Sequence, residues 1–240
     1  MRRTHAPTRA SQIAALCLAL CGMAATLHAH AEAPMHTDDA GTLGQGSMKI
    51  EGVISRDDKT RGAELIFGAG VAPHLEAEVA LAHGRDRSMS PSSRLNAVGW
   101  GLKWVPLQND AGWSAGARLD VGNTRVRDNA TPDRFTEREF AVTALASYRL
   151  ASAQVLHLNA GHKTVKVQGV RQRAATWAAG YEIPLGDQWQ LTAEVYGEQR
   201  SKPDKAVGVR YAIADGLKAS AAVGRGNGRT FSQVGVAWEF

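Results

Sequence analysis

Apolar and polar residues alternate with a period of two through most of the chain, from Gly46 to Phe240. Such alternation predicts β-strands that have one apolar and one polar face. In residues 189–198, for example, Trp, Leu, Ala and Val alternate with Gln, Thr, Glu and Tyr. Turn residues divide the pattern into twelve strands, predicted at 46–56, 61–71, 75–86, 94–105, 112–124, 137–149, 154–165, 171–183, 188–199, 204–213, 217–225 and 230–240.

The connections between these strands favour a membrane barrel over a soluble sandwich, which would also alternate but with its apolar face inside. Connections that follow even-numbered strands are short, whereas those that follow odd-numbered strands are mostly longer and polar. This asymmetry is typical of outer-membrane barrels. We therefore predict a transmembrane antiparallel up-and-down β-barrel of about twelve strands over residues 46–240.

Aromatic residues support the same orientation. Eight of them fall on the apolar face near the short-turn end of the strands, where amphipathic rings suit a membrane–water interface. The predicted periplasmic aromatic girdle consists of Trp104, Trp113, Tyr148, Tyr181, Trp189, Tyr211, Trp238 and Phe240. The closing aromatic strand is also the expected signal for barrel-assembly machinery.

The start of the chain predicts export. A basic stretch, an apolar stretch from Ile13 to Ala25 and an A-x-A site at residues 29–31 form a signal peptide over residues 1–31. Residues 32–45 are rich in Asp, Gly and Thr and are expected to form a periplasmic tail. Both cysteines, Cys17 and Cys21, lie in the signal, which excludes disulfides and thiolate chemistry from the mature chain.

Charge does not indicate nucleic-acid binding. The first 31 residues hold three of the 28 basic residues and none of the 23 acidic ones. The chain from Glu32 onward therefore has a formal net charge of only +2. We expect an outer-membrane location in a bacterium with two membranes and no nucleic-acid partner.

Basic residues gather at the long-loop end of the strands. There they suit the phosphates of outer-membrane surface lipid by charge and by bidentate hydrogen bonding, or else they are solvated loop charges. The predicted lipid-phosphate residues are Arg85, Arg87, Arg125, Arg127, Arg134 and Arg138.

The polar face is expected to line the barrel lumen with charges of both signs. Eight strands leave room only for side chains and sixteen leave an open channel, so twelve allow either a narrow pore or a filled interior. Small residues such as Gly99, Gly101, Gly180 and Gly224 would leave space for a solute. The predicted lumen-lining residues are Glu51, Glu64, Glu76, Glu78, Lys103, Arg118, Asp120, His157, Asn159, Lys163, Glu182, Glu194, Tyr196, Glu198, Arg210 and Lys218.

Enzymatic motifs are weak. Residues 112–116, G-W-S-A-G, match the serine-hydrolase pattern, but they begin a strand and no helix follows, whereas that chemistry needs a strand-to-helix turn. His83 and His162 sit near the long-loop end with no spacing that ties them to a nucleophile. We expect no catalytic residue, no metal and no cofactor.

Several segments resemble a known family of outer-membrane proteins. They are T-L-G-Q-G (42–46), V-A-P-H-L-E (71–76), H-L-N-A-G (157–161), E-V-Y-G-E (194–198), G-V-R-Y (208–211), G-R-G (224–226) and V-G-V-A-W-E-F (234–240). The chain is similar in these segments to the family labelled "MetA-pathway of phenol degradation". The resemblance implies a transporter-like barrel that handles aromatic or hydrophobic compounds, and it supplies no catalytic residues.

Three functions follow as hypotheses. The first is a narrow channel or conduit for small, aromatic or hydrophobic molecules. The second is a structural or surface-interaction barrel with a plugged lumen and basic loops on lipid phosphates. The third, and least favoured, is a surface hydrolase.

Overall fold

The computed structural model describes residues 32–88, 92–128 and 134–240. It contains the twelve predicted strands, and every predicted boundary lies within three residues of the observed one. The strands are β1 (Met48–Asp57), β2 (Thr60–Ala72), β3 (Leu75–Asp86), β4 (Ser93–Leu107), β5 (Gly112–Arg127), β6 (Arg134–Arg149), β7 (Val155–Val167), β8 (Val170–Leu185), β9 (Trp189–Glu198), β10 (Asp204–Ala214), β11 (Leu217–Gly226) and β12 (Arg229–Glu239). The predicted signal peptide lies outside the described residues.

The sheet closes on itself. Each strand pairs antiparallel with its neighbours in sequence, and β12 pairs with β1 from Lys49 opposite Glu239 to Asp57 opposite Phe231. Met48 and Phe240 exchange backbone hydrogen bonds of 2.8 and 2.9 Å at the seam. Closure pairs the backbone groups that an open sheet edge would expose, and it confirms the predicted up-and-down barrel.

We call the end where β1 begins and β12 finishes the proximal end, and the opposite end the distal end. The predicted difference in connection length is smaller than expected, because three of the six distal connections have only two residues (58–59, 168–169 and 227–228). In two of them, Gln168-Gly169 and Asn227-Gly228, both residues have positive φ. That is the geometry of the type I′ turn, whose twist matches a two-residue hairpin.

The barrel has an apolar outer face and a polar inner face, which is the reverse of the arrangement in a soluble protein. Large apolar side chains point outward, so that Trp100 is 59 % exposed, whereas inward-pointing Glu51 is 1 % exposed. An apolar outer band around a polar interior suits a hydrocarbon solvent. Among the described residues, no helix has the length and apolarity needed to cross a membrane.

The eight girdle aromatics all lie on the outward face near the proximal end. Three contacts join members of this set: Trp113 with Tyr148, Trp189 with Tyr211, and Trp238 with Phe240, at ring-centroid distances of 5.0, 4.5 and 4.6 Å. Trp100 and Trp177 also face outward, farther from the proximal end. Phe231 faces inward opposite Gly224, as strict alternation predicts.

Candidate functional site: the lumen and its N-terminal segment

Residues 32–47, here called the N-terminal segment, lie inside the barrel. The sequence interpretation treated residues 32–45 as a periplasmic tail, separate from the barrel of residues 46–240. The structure instead buries Ala33, Met35, Thr37, Asp38 and Ala40 in the proximal half of the lumen. The segment forms no regular secondary structure, so its backbone groups need side-chain partners, and the polar inner face of the strands supplies them.

The first residues of the segment bridge the last strands and β1. Arg210 donates to the carbonyl oxygens of Glu32 and Ala33 at 2.7 and 3.1 Å. The Ala33 amide donates to the Glu51 carboxylate at 2.7 Å, and the Gln233 amide donates to the carbonyl of Pro34. Every polar backbone atom named here is matched by a lumen side chain.

Glu194 anchors the middle of the segment. Its carboxylate accepts hydrogen bonds from the amide of His36 (2.8 Å) and from both the amide and the hydroxyl of Thr37 (2.8 and 2.9 Å). The imidazole ring of His36 stacks on Tyr196, with 4.1 Å between ring centroids. One carboxylate therefore fixes two consecutive residues.

Asp38 is held through both its backbone and its side chain. Its amide donates to Asn159 Oδ1 at 2.7 Å, and Asn159 Nδ2 donates back to its carbonyl at 2.8 Å. Its fully buried carboxylate lies 2.8 Å from the ammonium of Lys103 and 3.4 Å from the guanidinium of Arg118. The Asp38 carboxylate of the segment therefore pairs with cations on β4 and β5.

The remainder of the segment returns to the proximal rim. Asp39 pairs with Lys103 at 2.9 Å, and the Ala40 amide donates to the Ser147 hydroxyl at 2.8 Å. The Leu43 amide donates to Glu76 at 3.0 Å. Beyond it, Ser47 accepts a backbone hydrogen bond from Gly70, which leads the chain into β1.

Inward-facing glycines make room for the segment. A Cβ at Gly208 would lie 2.7 Å from Pro34, a Cβ at Gly235 would lie 2.9 Å from Ala33, and a Cβ at Gly180 would collide with Met35. The sequence interpretation assigned such small residues to an open solute path. The structure corrects this: space at Gly180 is filled by the segment, at Gly101 by Arg118 and at Gly224 by Phe231.

The strand residues that contact the segment also form a network of ion pairs among themselves and with neighbouring lumen residues. Glu78 accepts from Lys49 at 2.9 Å and from Arg118 at 2.5 Å, and Arg118 also donates to Asp120 at 2.9 Å. Across the lumen, Arg210 pairs with Glu182 at 3.0 Å. Buried charges of this kind require such partners, because an unpaired one would be strongly destabilising.

Asp39 is a carboxyl group of the segment whose pKa is lowered by its ion-pair partner. Burial within the barrel acts to raise its pKa, but the adjacent Lys103 ammonium outweighs burial and lowers the pKa to about 2. Its side chain still faces water in the lumen, because it lies on the wall of a cavity. The carboxylate is therefore ionised over the ordinary pH range.

That cavity has a volume of about 730 Å³ and occupies the proximal part of the lumen. Its wall combines the segment, at Asp39 and Thr42, with charged strand residues such as Glu76, Lys103 and Arg210. Residues of the segment therefore form part of the wall of a polar chamber at the proximal end.

All sixteen predicted lumen residues lie on the inward face, by the register and burial of their strands. Those that touch the segment are Glu51, Glu76, Lys103, Arg118, Asn159, Glu194, Tyr196, Arg210 and Lys218. Others lie elsewhere on the wall, such as Lys163 and Glu198, which pair with each other. Sequence reasoning missed Ser147 and Gln233 as docking residues, although alternation already placed them on the inner face.

The distal half of the lumen has a different character. Phe135 packs inward on Val165 and Val167, which makes an apolar patch. On the opposite side of the barrel, Arg229 pairs with Asp57 at 3.0 Å and with Asp204 at 3.2 Å.

The candidate hydrolase motif does not form a catalytic arrangement. Ser114 is buried at the proximal rim, where it accepts from the Asn109 amide at 2.9 Å. His83 faces outward and bonds Asn96, and His162 also faces outward. Within the described residues, no cluster of His, Cys, Asp and Glu could hold a metal ion.

A second serine–histidine contact occurs inside the barrel. Ser147 Oγ lies 2.8 Å from His157 Nδ1, and His157 Nε2 lies 3.7 Å from Glu182. A hydrolytic triad needs a histidine oriented by a hydrogen-bonded acid and a serine free to attack. Here the distance between His157 and Glu182 is longer than a hydrogen bond, and the Ser147 hydroxyl accepts from the Ala40 amide. These side chains therefore hold the N-terminal segment and do not form a catalytic triad.

Comparisons with solved structures agree with this architecture. The chain is similar to the KdgM porin in complex with disordered oligogalacturonate, with a TM-score of 0.64 and 11% identity over 80% of this chain and 99% of that chain. It is similar to the COG4313 outer membrane channel from Pseudomonas putida F1 (TM-score 0.61, 11% identity, 84% and 98% of the chains). It is also similar to the translocator domain of autotransporter NalP from Neisseria meningitidis (TM-score 0.56, 12% identity, 96% and 96%).

These likenesses define the class of fold: a closed, twelve-stranded barrel of the outer-membrane type. The chain belongs to the family described as "Uncharacterised conserved protein UCP029691", whose model matches residues 19–234. No curated protein matches the chain. The matches support the outer-membrane-barrel part of the predicted resemblance, while its phenol-degradation label stays a prediction.

Proposed function

We propose that the protein is an outer-membrane channel for small solutes whose pore is closed by its own N-terminal segment. The observation that carries the proposal is the polar chamber of about 730 Å³, whose wall includes residues of the N-terminal segment packed inside the barrel. The outward apolar band and the predicted signal peptide support the outer-membrane location.

The way the segment is held favours displacement over permanent closure. Its contacts are mainly hydrogen bonds and ion pairs, such as those of Thr37 with Glu194 and of Asp38 with Lys103. Water can replace such partners when the segment leaves, so each hydrogen bond to a charged group contributes only ~1.5–3 kcal/mol net. A segment held by apolar contacts could not exchange its partners for water in this way.

The lumen also favours a class of solute. In the distal half, half-buried Phe135 offers an apolar surface above the buried Val165 and Val167, and the proximal chamber offers charges of both signs. Small amphipathic molecules, such as aromatic acids, would match both surfaces. Swelling of proteoliposomes should therefore be faster with benzoate than with a neutral sugar of similar size, and equal rates would refute this preference.

The test of the channel uses a disulfide. A Cβ at Gly235 would lie 2.9 Å from that of Ala33, within ~1 Å of the ~3.8 Å of a disulfide. The mature chain has no other cysteine. We expect the oxidised variant A33C/G235C to be silent in a planar bilayer, and its reduction to give conducting steps whenever the segment leaves.

A deletion of residues 32–45 should conduct steadily, and the single variant A33C should not respond to reductant. A folded but silent deletion barrel would refute the channel. It would favour the second candidate, a structural barrel, which the segment packed inside the barrel supports.

A further inference from the structure

The strand register aligns six arginines in one row on the outside of the barrel. Their direct cross-strand pairs run from β1 to β6: Arg56 with Arg61, Arg61 with Arg85, Arg85 with Arg94, Arg94 with Arg127, and Arg127 with Arg134. We call this row the arginine ladder. Five of its members are exposed, and Arg85 is half-buried.

The ladder faces outward. On each strand the neighbouring residue points into the barrel, as Asp86 beside Arg85, Leu95 beside Arg94 and Val126 beside Arg127 show by their burial. With strands ~4.8 Å apart, five steps give a row ~24 Å long. It is a continuous cationic strip around half of the barrel.

Such a row is unfavourable on its own. Like charges directly opposite each other destabilise a sheet, and here this occurs at five consecutive pairs. Over residues 32–88, 92–128 and 134–240, no ladder arginine forms an ion pair with a carboxylate. Arg229, at the same end but pointing inward, pairs with both Asp57 and Asp204. Unlike Arg229, the ladder therefore lacks a countercharge from the described part of the chain.

The position of the ladder identifies the missing anion. On the same outward face, toward the barrel's middle, lie exposed apolar residues such as Leu81, Trp100 and Val121. Polar residues, among them His83, Asn96 and Asn123, lie between the apolar band and the ladder. Because the strands of a closed barrel tilt, the row climbs along the barrel axis. Arg56 is two residues from exposed Ile54, whereas Arg127 is six residues from Val121. The strip therefore begins beside the apolar band at β1 and extends away from it, across the headgroup layer of a bilayer that covers the band.

We propose that the arginine ladder binds the phosphate groups of a phosphorylated glycolipid in the outer leaflet. Guanidinium groups bind phosphate oxygens through charge-assisted, bidentate hydrogen bonds, and a phosphate between two paired arginines relieves their repulsion. Three of the arginines predicted from sequence, Arg85, Arg127 and Arg134, belong to the ladder. Arg125 and Arg138 lie nearer the apolar band, and Arg87 lies in the β3–β4 connection. The proposal does not depend on the channel function.

The test measures lipid binding to the refolded mature chain by native mass spectrometry, in uncharged detergent with EDTA. The probes are a diphosphorylated glucosamine glycolipid, the same lipid without phosphates, and soluble pyrophosphate. We expect R94E/R127E to weaken binding of the phosphorylated lipid at least about tenfold, or ~1.4 kcal/mol. The dephosphorylated lipid should bind weakly to both proteins.

The matched control is K205E/R225E. It reverses a directly opposite pair of outward cations on β10 and β11, on the other side of the barrel. Equal weakening by the two variants, equal binding of the two lipids, or displacement of the lipid by pyrophosphate would each overturn the proposal. If charge reversal prevents refolding, R94Q/R127Q permits the same comparison.

Discussion

Replacing Glu194 with alanine should release the middle of the N-terminal segment. The carboxylate accepts from the amides of His36 and Thr37 and from the Thr37 hydroxyl, at 2.8 to 2.9 Å. Hydrogen bonds to a charged group contribute ~1.5–3 kcal/mol each, but water from the lumen will replace part of what is lost. We therefore expect local docking to lose ~2–3 kcal/mol in total, which is a factor of ~30–150.

Hydrogen exchange measures this loss directly, because the protection of the Thr37 amide reports how often the segment leaves Glu194. Protection should fall by the same factor of ~30–150 in Glu194→Ala. The control is Glu198→Ala, which removes a carboxylate from the same face of β9, but one whose partner is Lys163. Unchanged Thr37 protection in a correctly folded Glu194→Ala barrel would show that the carboxylate does not hold the segment.

Two further perturbations act on the same docking. Gly180→Val should displace residues 35–37 because its side chain would collide with Met35, whereas Gly52→Val, where nothing lies within 4 Å, should leave their hydrogen exchange unchanged. Acid should loosen the segment. The pKa of Asp39 is about 2 in the folded protein, below its usual value of 3.8. The stabilisation that Asp39 gives to docking is therefore complete above about pH 4 and is lost as the pH falls towards 2. Cleavage of the segment by pepsin should rise over this window, and less so in Asp39→Asn; an equal rise in both would assign the loosening to other groups.

The fold could be predicted because each strand carries its own signal. Alternation is local, so the apolar face of a segment such as 189–198 is legible without its neighbours. The strand ends were less accurate at the distal end. There β5 continues to Arg127 and β6 begins at Arg134. The predicted strands stopped at the charged residues, but the backbone that carries these outward charges is still paired.

The candidate site could be predicted only in part. Alternation placed Glu194 and Asn159 on the inner face, but their partners lie more than a hundred residues away, and no periodic pattern links them. The segment's Asp, Gly and Thr composition is that of a solvated tail, since its structure comes from lumen side chains. The inward-facing glycines, such as Gly208 and Gly235, were the sequence feature that could have indicated a segment packed inside the lumen.

The arginine ladder shows the same limit. The sequence grouped arginines by the loops they flank, because a single chain shows which residues are near each other along it. Which arginine stands opposite which is set by the register, as for Arg94 with Arg127, more than thirty positions apart.

The place where the segment begins has a consequence for assembly. Ala33 bonds to Glu51 on the first strand, and Pro34, the next residue, bonds to Gln233 on the last strand. These two strands meet at the seam of the barrel. The segment therefore works as an inner clasp across the seam. Its complete set of contacts exists only after the last strand has arrived, so docking and closure stabilise each other by equal amounts.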